Sequence, residues 1–284
     1  SELHRSAFLP LAPAAGATSR ILIGTGVSLA FVRSPITTAL NTMDFDELSG
    51  GRFILGLGSG VPRLNQNWHN VDGTSPVERL EETIAIIRQF IENSHLADDL
   101  EYTGQFQRLM LQGYVRPFVP RREYVPIVVG AVGPRMLRLA ARRADGWLGH
   151  ELGSPEDLRA RILPELTREL KKTRRSKENF LVIPSACCVI HRDSREAKRR
   201  LAGLVAFYAV VRSYHWMFAS YGFEKEVEQI RSCFRRNDHQ GMIEACTEEM
   251  VEKFAIGGTV DEVVKRVREY GDCADVIKLT PPTH

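Results

Sequence analysis

The stretch Ser49–Gly60, SGGRFILGLGSG, decides the fold. It reads as a helix stop, a buried strand and a glycine-rich turn. Gly50 and Gly51 tolerate the positive φ that ends a helix. Phe53, Ile54 and Leu55 form a short apolar run, the kind buried on both faces of a parallel sheet. Gly56, Gly58 and Gly60 then clear the strand end of side chains, so that something large and flat can approach the backbone. A tight turn by itself asks for the same glycines. A Rossmann dinucleotide fingerprint matches less well, because the spacing is G-x-G-x-G and Val61 stands where that fingerprint needs its last glycine.

Upstream of this stretch, Ala7–Thr18 reads as a helix and Ile21–Gly26, ILIGTG, as a strand that again ends in glycine. Ser34 and Pro35 start a helix as N-cap and first-turn proline. Its apolar face is Ile36, Ala39, Leu40, Met43 and Leu48. Downstream, VPRLNQNWHNVDG (61–73) is too irregular for an element. Ser75-Pro76-Val77-Glu78 is a capping box, and it opens a helix with Val77, Leu80, Ile84, Ile87 and Ile91 on one face. Residues 93–124 form an excursion with a hairpin around Tyr102–Met110.

Alternation then resumes. Pro126–Gly130 is a strand, and Gly133-Pro134 opens a helix to Arg143. Asp145–His150 is a short strand. Ser154-Pro155 caps a helix to about Lys172, with Leu158, Ile162, Leu166 and Leu170 inward. Phe180–Ile190 is the next strand, followed by a capping box at Asp193-x-x-Glu196 and a long helical region. Thr259-x-x-Glu262 caps a last helix, stopped by Gly271, and Ala274–Leu279 is the final strand. Six strand–helix units with no linker signal predict an α/β fold with a parallel sheet in a single domain, 1–284.

Composition narrows the function classes. The 284 residues are 43% hydrophobic and 26% charged, ordinary for a globular protein. A net charge of +3 argues against a nucleic-acid partner. No run of 18 apolar residues is present, so no membrane helix is expected, and no signal-peptide pattern opens the chain. The five cysteines are odd in number, and Cys187 and Cys188 sit side by side in an apolar run as small hydrophobes. That pattern predicts a cytoplasmic setting. No Cys or His pair has metal-site spacing, and no metal is expected.

The segments AFLPLAPAAGATSRILIGTGV (7–27), SPITTALNTMDFDELSGGRFILGLGSG (34–60), PIVVGAVGPRMLRLAARRADGW (126–147) and FAIGGTVDEVVKRV (254–267) resemble the bacterial luciferase-like superfamily. In pattern they are most similar to its branch that uses the deazaflavin coenzyme F-420. The resemblance implies a (β/α)8 TIM-barrel fold with insertions at about 93–124 and 203–257. Ile21–Gly26 then matches the third strand and Ala274–Leu279 the eighth, so the first two strands and the last helix are expected to be missing from this barrel. It implies a non-prolyl cis peptide at Gly26-Val27 beneath the cofactor ring. Ser59 and Gly60 match positions that meet the cofactor side chain, and Gly130, Ala131, Val132 and Gly133 match the phosphate loop. Glycines ahead of a helix suit an anion because backbone N–H groups and the positive dipole end face it; a simply capped helix looks the same in sequence. The deazaflavin branch often has an acidic residue where Val61 stands, which keeps FMN as the alternative cofactor.

Acid–base candidates are Glu2, matching an acidic position of the family, and His150, at the strand end where barrel enzymes do chemistry. The aromatics Phe207, Tyr208, Tyr214, Trp216, Phe218, Tyr221 and Phe223 can wall a pocket, fill a core or meet a partner. The implied function is hydride transfer between F-420 and a small organic substrate by a homodimer. The alternatives are an FMN-dependent monooxygenase and a non-catalytic flavin-binding barrel.

Overall fold

The computed structural model describes residues 5–282. Glu2 lies outside them. The chain divides into two compact units, 1–148 with 165–181, and 149–164 with 182–284.

In the first unit, Ser6 accepts hydrogen bonds from the Phe8 and Leu9 N–H groups. This turn delays the first helix to Leu11–Ala17 (α1). The expected strand Ile21–Gly26 is two short pieces, β1 (Ile23–Gly24) and β2 (Ser28–Leu29), on either side of a cis Gly26-Val27 peptide. Helix α2 (Pro35–Leu48) is capped by Ser34, whose hydroxyl accepts from the Thr37 N–H. Its inner stripe is more polar than the apolar count implies. Thr38, Thr42 and Asp46 are buried with Ala39 and Met43, whereas Leu48 is exposed. The threonine hydroxyls are satisfied within the helix, by the Ser34 and Thr38 carbonyls.

Strand β3 (Phe53–Gly58) is the centre of the sheet. Phe53, Leu55 and Leu57 are fully buried, each stabilising by roughly 1.5–3 kcal/mol. The segment after it, expected to be irregular, is helix α3 (Pro62–His69). Pro62 fits the first turn and Asn70 closes the end in the left-handed conformation, signals that the polar composition obscured. Helix α4 (Pro76–Asn93) buries the expected face. Its capping box does not form: Ser75 has φ of 48° and caps nothing, and Glu78 pairs with Arg135 instead. Strands β4 (Leu100–Thr103) and β5 (Arg108–Leu111) make the expected hairpin. Then come β6 (Ile127–Gly130), α5 (Pro134–Arg143) and β7 (Gly146–Leu148). The order β1-β3-β6-β7 is parallel throughout, with β2 also beside β3.

The long strand expected over Phe180–Ile190 is broken at Pro184, which has no N–H to donate. It becomes β8 (Leu181–Ile183) and β9 (Ser185–Ile190). In the second unit, β9 is flanked by two parallel strands, β10 (Ala255–Gly258) and β11 (Lys278–Thr280). Strand β10 lies where sequence reading placed the end of a helical insertion. AIGG carries only one large apolar residue, too weak a signal beside the helix before it. The last helix, Val260–Arg268, has the full reciprocal box between Thr259 and Glu262. Between β9 and β10 lie five α-helices, from Ser194–Val210 to Glu248–Phe254. Some of the aromatics in this region are internal: Phe218 and Phe223 are buried, and Phe254 packs on Phe218, Tyr221 and Phe223. Phe207, Phe234 and Trp216 are exposed, at 49%, 48% and 37%. No helix among the described residues is long and apolar enough to cross a membrane.

Candidate active site

The glycine-rich strand ends of the first unit meet around Val27. A Cβ on Gly58 would lie 2.6 Å from Val27 Cγ2, and one on Gly130 would lie 3.2 Å from Val27 Cγ1. On Gly56 it would fall 1.9 Å from the Thr25 carbonyl oxygen. The Thr25 hydroxyl also bonds to both backbone groups of Gly56, at 2.7 and 2.8 Å. Three strand ends are thus brought together by the absence of side chains. Gly26 and Val27, joined by the cis peptide, sit among them.

Ser59 and Gly60 continue from β3. Gly60 has φ of +69°, and a Cβ there would lie 2.6 Å from Asn65 Oδ1. The Asn65 amide donates to the Ser59 carbonyl at 2.8 Å. Its own Oδ1 is buried and meets no donor. A buried acceptor without a partner costs about 1–3 kcal/mol, so this atom suits a hydroxyl-bearing ligand. Asn65 was missed in the sequence because its segment did not read as a helix.

Of the four phosphate-loop residues, Gly130 ends β6 and Gly133 is the N-cap of α5. A Cβ on Gly133 would meet nothing within 4 Å, so the space beside it is open. Neither a side-chain cap nor an acidic residue occupies the first turn of α5. Ala131 is differently used. Its N–H donates to the Leu148 carbonyl at 3.2 Å, and its carbonyl accepts from Trp147 Nε1 at 2.8 Å. The side-chain-poor surface, the uncapped helix start and the orphaned Asn65 oxygen fit a planar ring with a hydroxylated, phosphorylated chain.

His150 follows β7 and belongs to the second unit. Its Nδ1 accepts from the Leu152 N–H at 3.3 Å. The ring lies edge-on to Tyr208 at 4.7 Å and against Tyr214 at 4.4 Å between centroids. Burial lowers its pKa to about 4, with Glu151 opposing and Lys278 adding to the shift. Glu151, which sequence reading did not single out, is the polar hub of this unit. It accepts from Tyr208 Oη at 3.4 Å and Cys187 Sγ at 3.7 Å, and pairs with Lys278 at 3.4 Å. Burial pushes the Cys187 thiol up to about 12, and Glu151 adds to it. The same two causes, in the same order, raise Tyr208 and Tyr214, which stay protonated donors at neutral pH. No local pattern marks this hub, since its members are separated by up to 127 positions.

The family model described as luciferase-like monooxygenase matches residues 1–274. The 5,10-methylenetetrahydromethanopterin reductase of Archaeoglobus fulgidus is 29% identical, over 94% of this chain and 78% of its own. A putative coenzyme F-420-dependent oxidoreductase of Mycobacterium tuberculosis is also 29% identical, over 92% of this chain and 79% of its own. The structure of the coenzyme F-420-dependent tetrahydromethanopterin reductase of Methanopyrus kandleri superposes with a TM-score of 0.82 at 26% identity, covering 98% of this chain and 82% of that one. The parallel α/β sheets, the glycine cradle and these likenesses agree: the chain belongs to the luciferase-like monooxygenase family, enzymes of the TIM-barrel type.

Proposed function

We propose that this enzyme is an oxidoreductase that transfers a hydride between coenzyme F-420 and a small organic substrate. The observation that carries the reading is the cradle around Val27, where Gly56, Gly58 and Gly130 leave the strand ends bare of side chains. The relatives that share most of its length and are named for F-420 support the choice of cofactor.

In this reading Gly26 and Val27 back the ring, and Ser59, Gly60 and Asn65 receive the hydroxylated side chain. Gly130, Val132 and Gly133 pass the phosphate to the start of α5, while Ala131 holds the loop to β7. Coenzyme F-420, when bound, supplies or accepts the hydride at its deazaflavin ring. The protein's part is to fix that ring against bare backbone. His150 remains the first acid–base candidate. Glu2 remains the second acid–base candidate. The enzyme works as a cytoplasmic homodimer, and light scattering of the purified protein tests the assembly.

Val61, which stands where the deazaflavin branch often carries an acid and is 44% exposed as the N-cap of α3, favours FMN as the second reading. Absorbance titrations decide between them. Saturable binding of F-420, with a single violet band that bleaches on reduction, is the expected result. Binding of FMN alone overturns the first reading, and binding of neither overturns both.

A further inference from the structure

The surroundings of His150 decide which of its ring nitrogens carries the proton. The Leu152 N–H points at Nδ1 from 3.3 Å, and an N–H donor on that atom requires a lone pair there. The proton of a neutral ring therefore sits on Nε2. Among the described residues, none hydrogen-bonds Nε2. Tyr208 lies edge-on to the ring and Tyr214 tilted against it, and the two tyrosines meet each other at 5.4 Å between centroids, so a ring flip that exchanged the nitrogens would press on this pair. The charged groups facing this pocket are Glu151 and Lys278, and they pair with each other at 3.4 Å. Glu151 is also satisfied by Tyr208 and Cys187, which leaves little net field to draw a second proton onto the imidazole. The lowered pKa of the ring agrees with this geometry.

We infer that His150 is a hydrogen-bond donor locked in one neutral tautomer, whose Nε2–H is offered to a carbonyl or alkoxide oxygen of the substrate. It is not a general base, because its remaining nitrogen is already occupied by the backbone. A neutral imidazole N–H polarises a carbonyl without changing its own charge, which suits an oxygen on which negative charge develops. The substrate class that follows is a ketone, an aldehyde or the corresponding alcohol. That last step rests on the oxidoreductase reading above; the tautomer does not.

The experiment is long-range proton–nitrogen NMR on the full chain labelled in its histidine rings, with His150→Gln used to assign the His150 signals. The expected result is an unprotonated Nδ1 and a protonated Nε2, unchanged across roughly pH 5 to 8. A protonated Nδ1, or a ring that titrates within that range, overturns the inference. Cyclohexanone then serves as the carbonyl probe. It is expected to shift the Nε2 signal more than that of Nδ1, and no shift at any soluble concentration overturns the oxygen-ligand part. Titration of the same sample with F-420 keeps the two readings apart. A locked His150 without coenzyme binding refutes the coenzyme, whereas coenzyme binding with a titrating His150 refutes the donor role.

Discussion

Replacing Gly58 by alanine tests whether the cradle is held open by Val27. The added Cβ would stand 2.6 Å from Val27 Cγ2, about 0.8 Å inside the ordinary contact distance of roughly 3.4 Å. Rotating Val27 offers no easy escape, because Cγ1 already lies over Gly130 at 3.2 Å from where a Cβ there would be. Either Val27 moves off its rotamer or β2 shifts from β3, and overpacking of this kind costs about 1–3 kcal/mol. Val27→Ala alone removes two half-buried methyl groups, a loss of about 1 kcal/mol. The double variant removes the clash along with the methyls, so it should be more stable than the sum of the single losses by about 1–2 kcal/mol. Urea unfolding of the four proteins, compared by midpoint at equal slope, measures this coupling. F-420 titration of the same set should show Gly58→Ala binding more weakly than the double variant. If the two losses simply add, Val27 is not what demands a glycine at position 58.

Four further outcomes follow from separate parts of the structure. Asp46 is 1% exposed and takes a bidentate pair from Arg122, so Asp46→Asn should lower stability by about 3–5 kcal/mol in the same unfolding assay. Thr259→Ala should cost about 1 kcal/mol because its box is complete, whereas Ser75→Ala, at a box that never forms, should fall within about 0.5 kcal/mol of wild type. Glu196 is held at a pKa of about 2 by hydrogen bonds from Arg199 and then Arg200. Its stabilising contribution is therefore present above the ordinary carboxylate value and lost as pH falls toward 2; carboxyl NMR should show that low midpoint, and Arg199→Ala with Arg200→Ala should raise it. Asn65→Ala should weaken F-420 binding about tenfold, roughly 1.4 kcal/mol, and an unchanged Kd would remove Asn65 from the cofactor site.

Local physics wrote much of this protein plainly. Three-residue apolar runs ending in glycine, and helix starts such as Ser34-Pro35 and Ser154-Pro155, are short-range patterns, and they located the strands of the first unit and several of the helices after them. The cis Gly26-Val27 position also came from sequence, through resemblance to a family rather than from any local rule.

Tertiary structure decided what depends on distant neighbours. Ser75 and Thr259 carry the same box pattern, but a left-handed backbone at Ser75 and Arg135 reaching Glu78 undo the first. Strand β10 exists because β9 offers it a ladder of backbone partners, which AIGG by itself does not announce. Asp46 can be buried on α2 because Arg122, far along the chain, reaches it and the Phe53 carbonyl. His150 was visible as a residue type at a strand end. The inferred neutral donor rests on the Leu152 N–H at one nitrogen and two tyrosines packed against the ring, and only the folded chain brings those tyrosines to it. A side chain's protonation belongs to its surroundings, and sequence names the side chain without its surroundings.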